Sequence, residues 1–130
     1  MKNIEVCSAI IMKDKKIFVT QRGYGDFKDK WEFPGGKLEK GETLQECIIR
    51  EIKEELDADI KVISLLNTIE YTYPTFHLIM HNFICELKNN HLTLLEHEAA
   101  KFIDLNDLNN IDFLPADKLI LKDLFKYINS

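Results

Sequence analysis

The chain has 130 residues, 45% apolar and 30% charged, with five Gly and three Pro; that describes one domain over 1–130 with no space for a second of ordinary size. No apolar run exceeds about five residues, too few to cross a bilayer, and the N-terminus lacks the small-residue cleavage pattern of a secretory signal. A net charge of -5 without a basic run disfavours duplex nucleic acid, and Cys7, Cys47 and Cys85, an odd set lacking C-x-x-C spacing, argue against a disulfide framework or zinc ribbon and for a reducing cytoplasm.

In chain order, Val6 to Met12 and Ile17 to Thr20 are β-branched-rich runs around the polar turn Lys13 to Lys16, which predicts two strands. A loop through Gly23 to Asp26 follows. Trp31-Glu32-Phe33-Pro34-Gly35-Gly36 ends regular structure and leaves backbone groups free to face a ligand. Thr43-Leu44-Gln45-Glu46 is a capping box, and the helix it opens runs to about Leu56. Strands are predicted at Lys61 to Leu66, Ile69 to Tyr73 and His77 to Leu87. Lys88-Asn89-Asn90 reads as a hairpin turn into His91 to Leu95, and Ala99 to Leu105 as a last strand. Pro115 opens a final helix over Lys118 to Ile128, with Leu119, Ile120, Leu121, Leu124 and Tyr127 as its apolar face. The order β-β-α-β-β-β-α predicts an α+β fold, a mixed sheet between helices.

The first helix carries the chemistry. With about 100° per residue, Glu51, Glu54 and Glu55 fall within one narrow stripe. Ile48, Ile49, Ile52 and Leu56 form a separate core-facing stripe beside it, and Glu46 and Lys53 face solvent. Two carboxylates about 6 Å apart repel by roughly 3 kcal/mol at an effective dielectric of 20. Arg50 offsets part of that. Oxygen-rich clusters of this kind suit Mg²⁺ or Mn²⁺. The competing reading is a solvated acidic helix face.

The spacing decides between them. Gly36, five residues, Glu42, seven residues, then Arg50-Glu51-Ile52-Lys53-Glu54-Glu55 resembles the Nudix box, G-x5-E-x7-R-E-U-x-E-E-x-G-U with U aliphatic, over about 36–58. Every charged position is filled. The departure is Asp57 where the pattern has Gly; Asp tolerates the left-handed conformation required there better than most residues. Beyond the box, Arg22, Trp31 to Lys37, Tyr71-Thr72-Tyr73-Pro74, Glu96-His97-Glu98 and Leu114-Pro115-Ala116-Asp117 look like the MutT-type nucleoside triphosphate pyrophosphohydrolases.

The resemblance implies a Nudix fold and hydrolysis of a nucleoside triphosphate to monophosphate and pyrophosphate with Mg²⁺ or Mn²⁺. It implies metal held by Glu51, Glu54, Glu55, Glu96 and the carbonyl of Gly35 or Gly36, with Glu42 and Arg50 holding those ligands in place. The general base is Glu51, Glu54 or Glu96. Arg22 and Lys37 are expected on the phosphates, with Glu32, Pro34 and Gly35 lining the substrate site. Phe33, Tyr73 and Asp117 are expected on the base. Where the best-known pattern has Asn, Asp117 when ionised only accepts, which favours bases presenting N–H or amino groups. The other reading of Asp117 is a helix cap. Cys47 reads as packing, and the four His as structural or exposed. The expected substrate is 8-oxo-dGTP, in sanitising oxidised nucleotides before they reach DNA, or CTP or a modified dCTP. The alternative of another class is a non-catalytic nucleotide-binding module, which usually carries a further domain that 130 residues do not accommodate. A cytoplasmic monomer or homodimer without membrane contact is expected.

Overall fold

The computed structural model describes residues 1–93 and 99–130. Its strands are β1 (Lys2–Lys13), β2 (Lys16–Gln21), β3 (Trp31–Glu32), β4 (Gly35–Lys37), β5 (Ile60–Thr72), β6 (Phe76–Leu87) and β7 (Ala99–Asp104). Its helices are α1 (Leu44–Leu56), α2 (Pro115–Lys118) and α3 (Leu121–Ile128), with a 3-10 turn over Leu105–Asn110. The sheet runs β3-β2-β1-β6-β5, with β4 added to β1 and β7 to β2. β1 and β6 pair in parallel from Lys2↔Phe76 to Ile11↔Cys85, and the other pairings between strands are antiparallel. This is the mixed, helix-flanked α+β sheet that the sequence predicts.

Side chains of β1 alternate between two cores. Cys7, Ala9 and Ile11 pack with Cys47, Ile48, Ile52 and Leu56 of α1. Ile10, Met80 and Ile84 pack with Phe113, Ala116, Ile120 and Leu124 on the other face. The sheet is therefore sealed by α1 on one side and by α2 and α3 on the other.

Several boundaries differ from the sequence reading. Trp31 to Lys37 holds two short strands, because β1 and β2 supply backbone partners that the Pro-Gly-Gly pattern does not advertise. The two strands expected between Lys61 and Tyr73 are one, and bulges between Val62 and Ser64 and between Leu65 and Asn67 absorb the break in alternation. No strand forms at His91 to Thr93, and the rest of that expected strand lies outside the described residues. The last helix is divided at Leu119–Ile120, so Ile120 and Leu124 are buried but Leu119 and Tyr127 are exposed. Ile49, at the edge of the apolar stripe, is also exposed.

Candidate active site

The capping box starts α1 as its sequence predicts. Thr43 Oγ1 accepts from the Glu46 amide at 3.1 Å, and Glu46 Oε1 accepts from the Thr43 amide at 2.8 Å. The helix ends at Asp57 in the left-handed region (φ 48°, ψ 39°), the conformation that the departure from Gly has to meet. With both ends fixed, the acidic stripe is fixed in rotation.

Arg50 organises that stripe. Its Nε and Nη2 donate to Glu42 at 2.5 and 2.9 Å, and Nη1 donates to Glu51 at 2.8 Å and to Glu54 at 3.2 Å. Nη2 also donates to the Lys37 carbonyl at 3.0 Å, which ties α1 to β4. Glu42 is oriented further by the Glu39 amide at 2.9 Å. The three glutamates sit at different depths: Glu55 is buried, the Glu51 side chain is 14% exposed and that of Glu54 57%.

The Arg50 bonds, reinforced by the Glu39 amide, hold the Glu42 carboxyl down at about 2 from its ordinary 4.5. A carboxylate with a depressed pKa stabilises the fold above its unfolded value and loses that contribution as pH falls through its folded value. The stability due to Glu42 is therefore lost between about pH 4.5 and 2. Acid unfolding of Glu42→Gln should show a shallower loss in that window than the parent chain; parallel curves would contradict the pairing.

The turn beside the ridge is tightly packed at both glycines. A Cβ on Gly35 would collide with the carbonyl of Cys7, and one on Gly36 with the Glu51 carboxylate. Pro34 precedes them, its carbonyl accepting from the Ala9 amide at 2.8 Å. Next to Gly35 and Gly36 opens a cleft of about 480 Å³. Arg22, Glu32, Phe33, Lys37, Tyr73 and Asp117 all line it, so the structure gathers residues up to 95 positions apart in sequence. Pro34 is not in the lining. Ser8, Asp26, Phe27 and Phe76 line the cleft and were not singled out by sequence. Their one legible signal is Ser8, a polar residue inside an apolar strand. Glu96 and His97 lie outside the described residues.

Inside the cleft, Arg22 is paired with Glu32 at 3.0 Å. Phe33 stacks on Phe113 with centroids 5.1 Å apart, and Tyr73 on Phe76 at 5.0 Å. The Tyr73 hydroxyl accepts from the Ala116 amide at 3.2 Å, which fixes α2 against the cleft. Asp117 does not cap α2, whose N-cap is Leu114 with no side-chain bond. Instead its Oδ2 accepts from the Phe33 amide at 2.9 Å in a buried position. Burial, with the nearby Glu32 charge, pushes its carboxyl up to about 8. The direction of that shift favours the protonated form, which can donate as well as accept, over the ionised form, which only accepts. Burial likewise pushes the Cys47 thiol up and that of Cys85 to about 12, so neither is primed as a nucleophile.

The chain matches the NUDIX domain family over residues 1–124. It belongs to the Nudix family. It is 31% identical over 126 residues to the 8-oxo-dGTP diphosphatase of Escherichia coli (strain K12), covering 95% of this chain and 98% of that protein. It is 32% identical over 125 residues to the CTP pyrophosphohydrolase of the same organism, covering 94% and 91%. An ADP-ribose pyrophosphatase of Methanocaldococcus jannaschii is 37% identical over 123 residues, covering 92% and 72%. A MutT NUDIX hydrolase from Burkholderia pseudomallei, known as a crystal structure, superposes with a TM-score of 0.87 at 23% identity, covering 95% and 99%. This Nudix chain is thus an enzyme that hydrolyses phosphoric anhydrides.

Nudix hydrolases generally use divalent metal ions. The donor chemistry here fits one: the ridge offers only oxygen, and Arg50 already serves as the cation between Glu51 and Glu54. Among the described residues no group of three His, Cys, Asp or Glu side chains is placed to hold a metal ion. Among the described residues, too, no helix is long and apolar enough to cross a membrane.

Proposed function

We propose that this Nudix enzyme is a Mg²⁺- or Mn²⁺-dependent nucleoside triphosphate pyrophosphohydrolase, releasing a nucleoside monophosphate and pyrophosphate. One observation carries the reading: a single cleft is lined by Phe33, Tyr73 and Asp117 together with the cations Arg22 and Lys37 and with Gly36, whose turn abuts Glu51. A base, a sugar and a phosphate tail need those surfaces in that combination.

Glu51, Glu54 and Glu55 would hold the ion, with Glu96 and a Gly35 or Gly36 carbonyl as further ligands. When bound, it supplies neutralisation of phosphate charge and a more acidic water. Glu51, Glu54 or Glu96 takes the proton of the water attacking the β-phosphorus. Arg50 and Glu42 hold Glu51 and Glu54 in place. Lys37 and Arg22 bind the phosphates, Arg22 exchanging part of its Glu32 pairing for them.

For the base, 8-oxo-dGTP is the first choice and CTP or a modified dCTP the second. Each presents a donor beside an acceptor, and a protonated Asp117 answers both. The test is kcat/KM for pyrophosphate release from 8-oxo-dGTP, dGTP, CTP, dCTP, 5-methyl-dCTP and ADP-ribose, with and without Mg²⁺. Divalent-dependent pyrophosphate release, fastest from 8-oxo-dGTP or a cytidine nucleotide, is expected; ADP-ribose outrunning every triphosphate would overturn the reading. Binding without any turnover would restore the non-catalytic module.

Asp117→Asn makes a sharper prediction. A carboxyl raised from 3.8 to about 8 in the fold favours folding at low pH, and that contribution is lost as pH rises through this range. Asn stays neutral, so the variant's Tm should gain on the parent's from pH 5 to pH 9, while preference between oxidised purine and cytosine substrates shifts. Identical Tm profiles would mean that Asp117 is ionised in the fold.

A further inference from the structure

Three polar side chains stand in one row on the sheet face that packs against α2 and α3. Register places Ser8 of β1 opposite Asn82 of β6, and Asn82 opposite Asn67 of β5. Ser8 and Asn82 are buried, among neighbours such as Ile10, Met80 and Ile84 that are apolar. A buried polar row is costly unless its bonds close. This row closes onto α3. Asn67 Nδ2 donates to Asp123 Oδ2 at 2.8 Å, and Asn82 Nδ2 donates to Asn67 Oδ1 at 2.8 Å and to the Met80 carbonyl at 3.4 Å. The Ser8 hydroxyl donates to Asn82 Oδ1.

The direction of the chain is fixed from its outer end. A carboxylate only accepts, so the Asn67 amide must turn its NH₂ to Asp123 and its oxygen to Asn82. Asn82 is then set the same way, and its second bond to the Met80 carbonyl agrees. The one Ser8 proton is committed to Asn82, yet Ser8 lines the cleft. Among the described residues no donor occupies its remaining lone pairs. Ser8 therefore offers a ligand an acceptor and nothing else.

We propose that Ser8 is a specificity-determining residue whose oxygen accepts a hydrogen bond from the bound nucleoside, with Asn82, Asn67 and Asp123 as the positioning residues that fix its polarity. This rests on the nucleotide reading above and refines it. The donor is an exocyclic amino group of the base or a sugar hydroxyl, and one experiment separates them. kcat/KM is measured for the parent, Ser8→Ala and Asp123→Asn on pairs differing in a base amino group (GTP and ITP, CTP and UTP) and in a sugar hydroxyl (GTP, dGTP and the 2′,3′-dideoxy form).

In Ser8→Ala the preference for the donor-bearing member of one pair type should fall roughly tenfold, and the pair affected names the donor. Asp123→Asn can itself donate, which lets the amide chain reverse and Ser8 present its proton; the same ratio should fall, by less. A role confined to packing would lower all substrates together and move no ratio. Unchanged ratios in Ser8→Ala overturn the proposal, and should that variant fail to fold, unchanged ratios in Asp123→Asn overturn it equally. A parent chain that turns over no triphosphate overturns the nucleotide reading and this refinement together, whereas turnover with fixed ratios overturns the Ser8 role alone.

Discussion

Replacing Glu51 or Glu54 by Gln should lower kcat for pyrophosphate release on the order of 100- to 1,000-fold, with the fold retained. The two glutamates face one guanidinium, at 2.8 and 3.2 Å, and neither serves the apolar core. Deleting one charge relieves repulsion along the ridge and weakens one Arg50 ion pair, two effects of opposite sign, so Tm should stay close to the parent's. The same deletion removes an anionic oxygen where phosphate charge must be met, and that deficit appears in the transition state. Thermal melts together with steady-state kinetics at several Mg²⁺ concentrations check both halves, and the metal concentration for half-maximal rate should also rise. Turnover near the parent's in either variant would mean that the ridge is an ordinary acidic surface.

A second large effect separates two neighbouring glycines. In Gly35→Ala the new methyl meets the Cys7 carbonyl, which belongs to the β1–β4 ladder and has nowhere to go. That variant should lose about 3 kcal/mol or more of stability. In Gly36→Ala the atoms nearest the methyl belong to the Glu51 carboxylate, the end of a flexible side chain. The carboxylate can swing away, at the expense of its Arg50 bond. Gly36→Ala should therefore melt close to the parent while losing about 100-fold in kcat. Denaturant unfolding beside kinetics distinguishes the pair; an unstable Gly36→Ala with full activity per folded molecule would contradict the placement of Glu51.

What could be read from the sequence was what local rules encode. The capping box fixes where α1 begins, so the rotation of Glu51, Glu54 and Glu55 follows from the helical repeat alone, as does Asp57 in its left-handed cap. The family resemblance also named seven residues that the structure places around one cleft, though they lie on different elements. Long-range effects were not legible. β4 is a strand because β1 pairs with it, although Gly-Gly has little strand propensity. The raised pKa of Asp117 comes from burial and from the Glu32 charge, 85 positions away in the chain. The Arg22–Glu32 pair requires β2 and β3 to meet. The polar row from Ser8 to Asp123 spans 115 positions, and only the register of three strands brings it together. Ile49 failed for a simpler reason: at the rim of a helical stripe, the neighbouring strand decides exposure.

The most direct test of the account is calorimetric titration of Mn²⁺ or Mg²⁺ into the chain in the presence of a non-hydrolysable nucleoside triphosphate, for the parent and for Glu54→Gln. The account predicts saturable uptake by the parent, weakened at least tenfold in the variant. Equal uptake by both, or none by either, would contradict it.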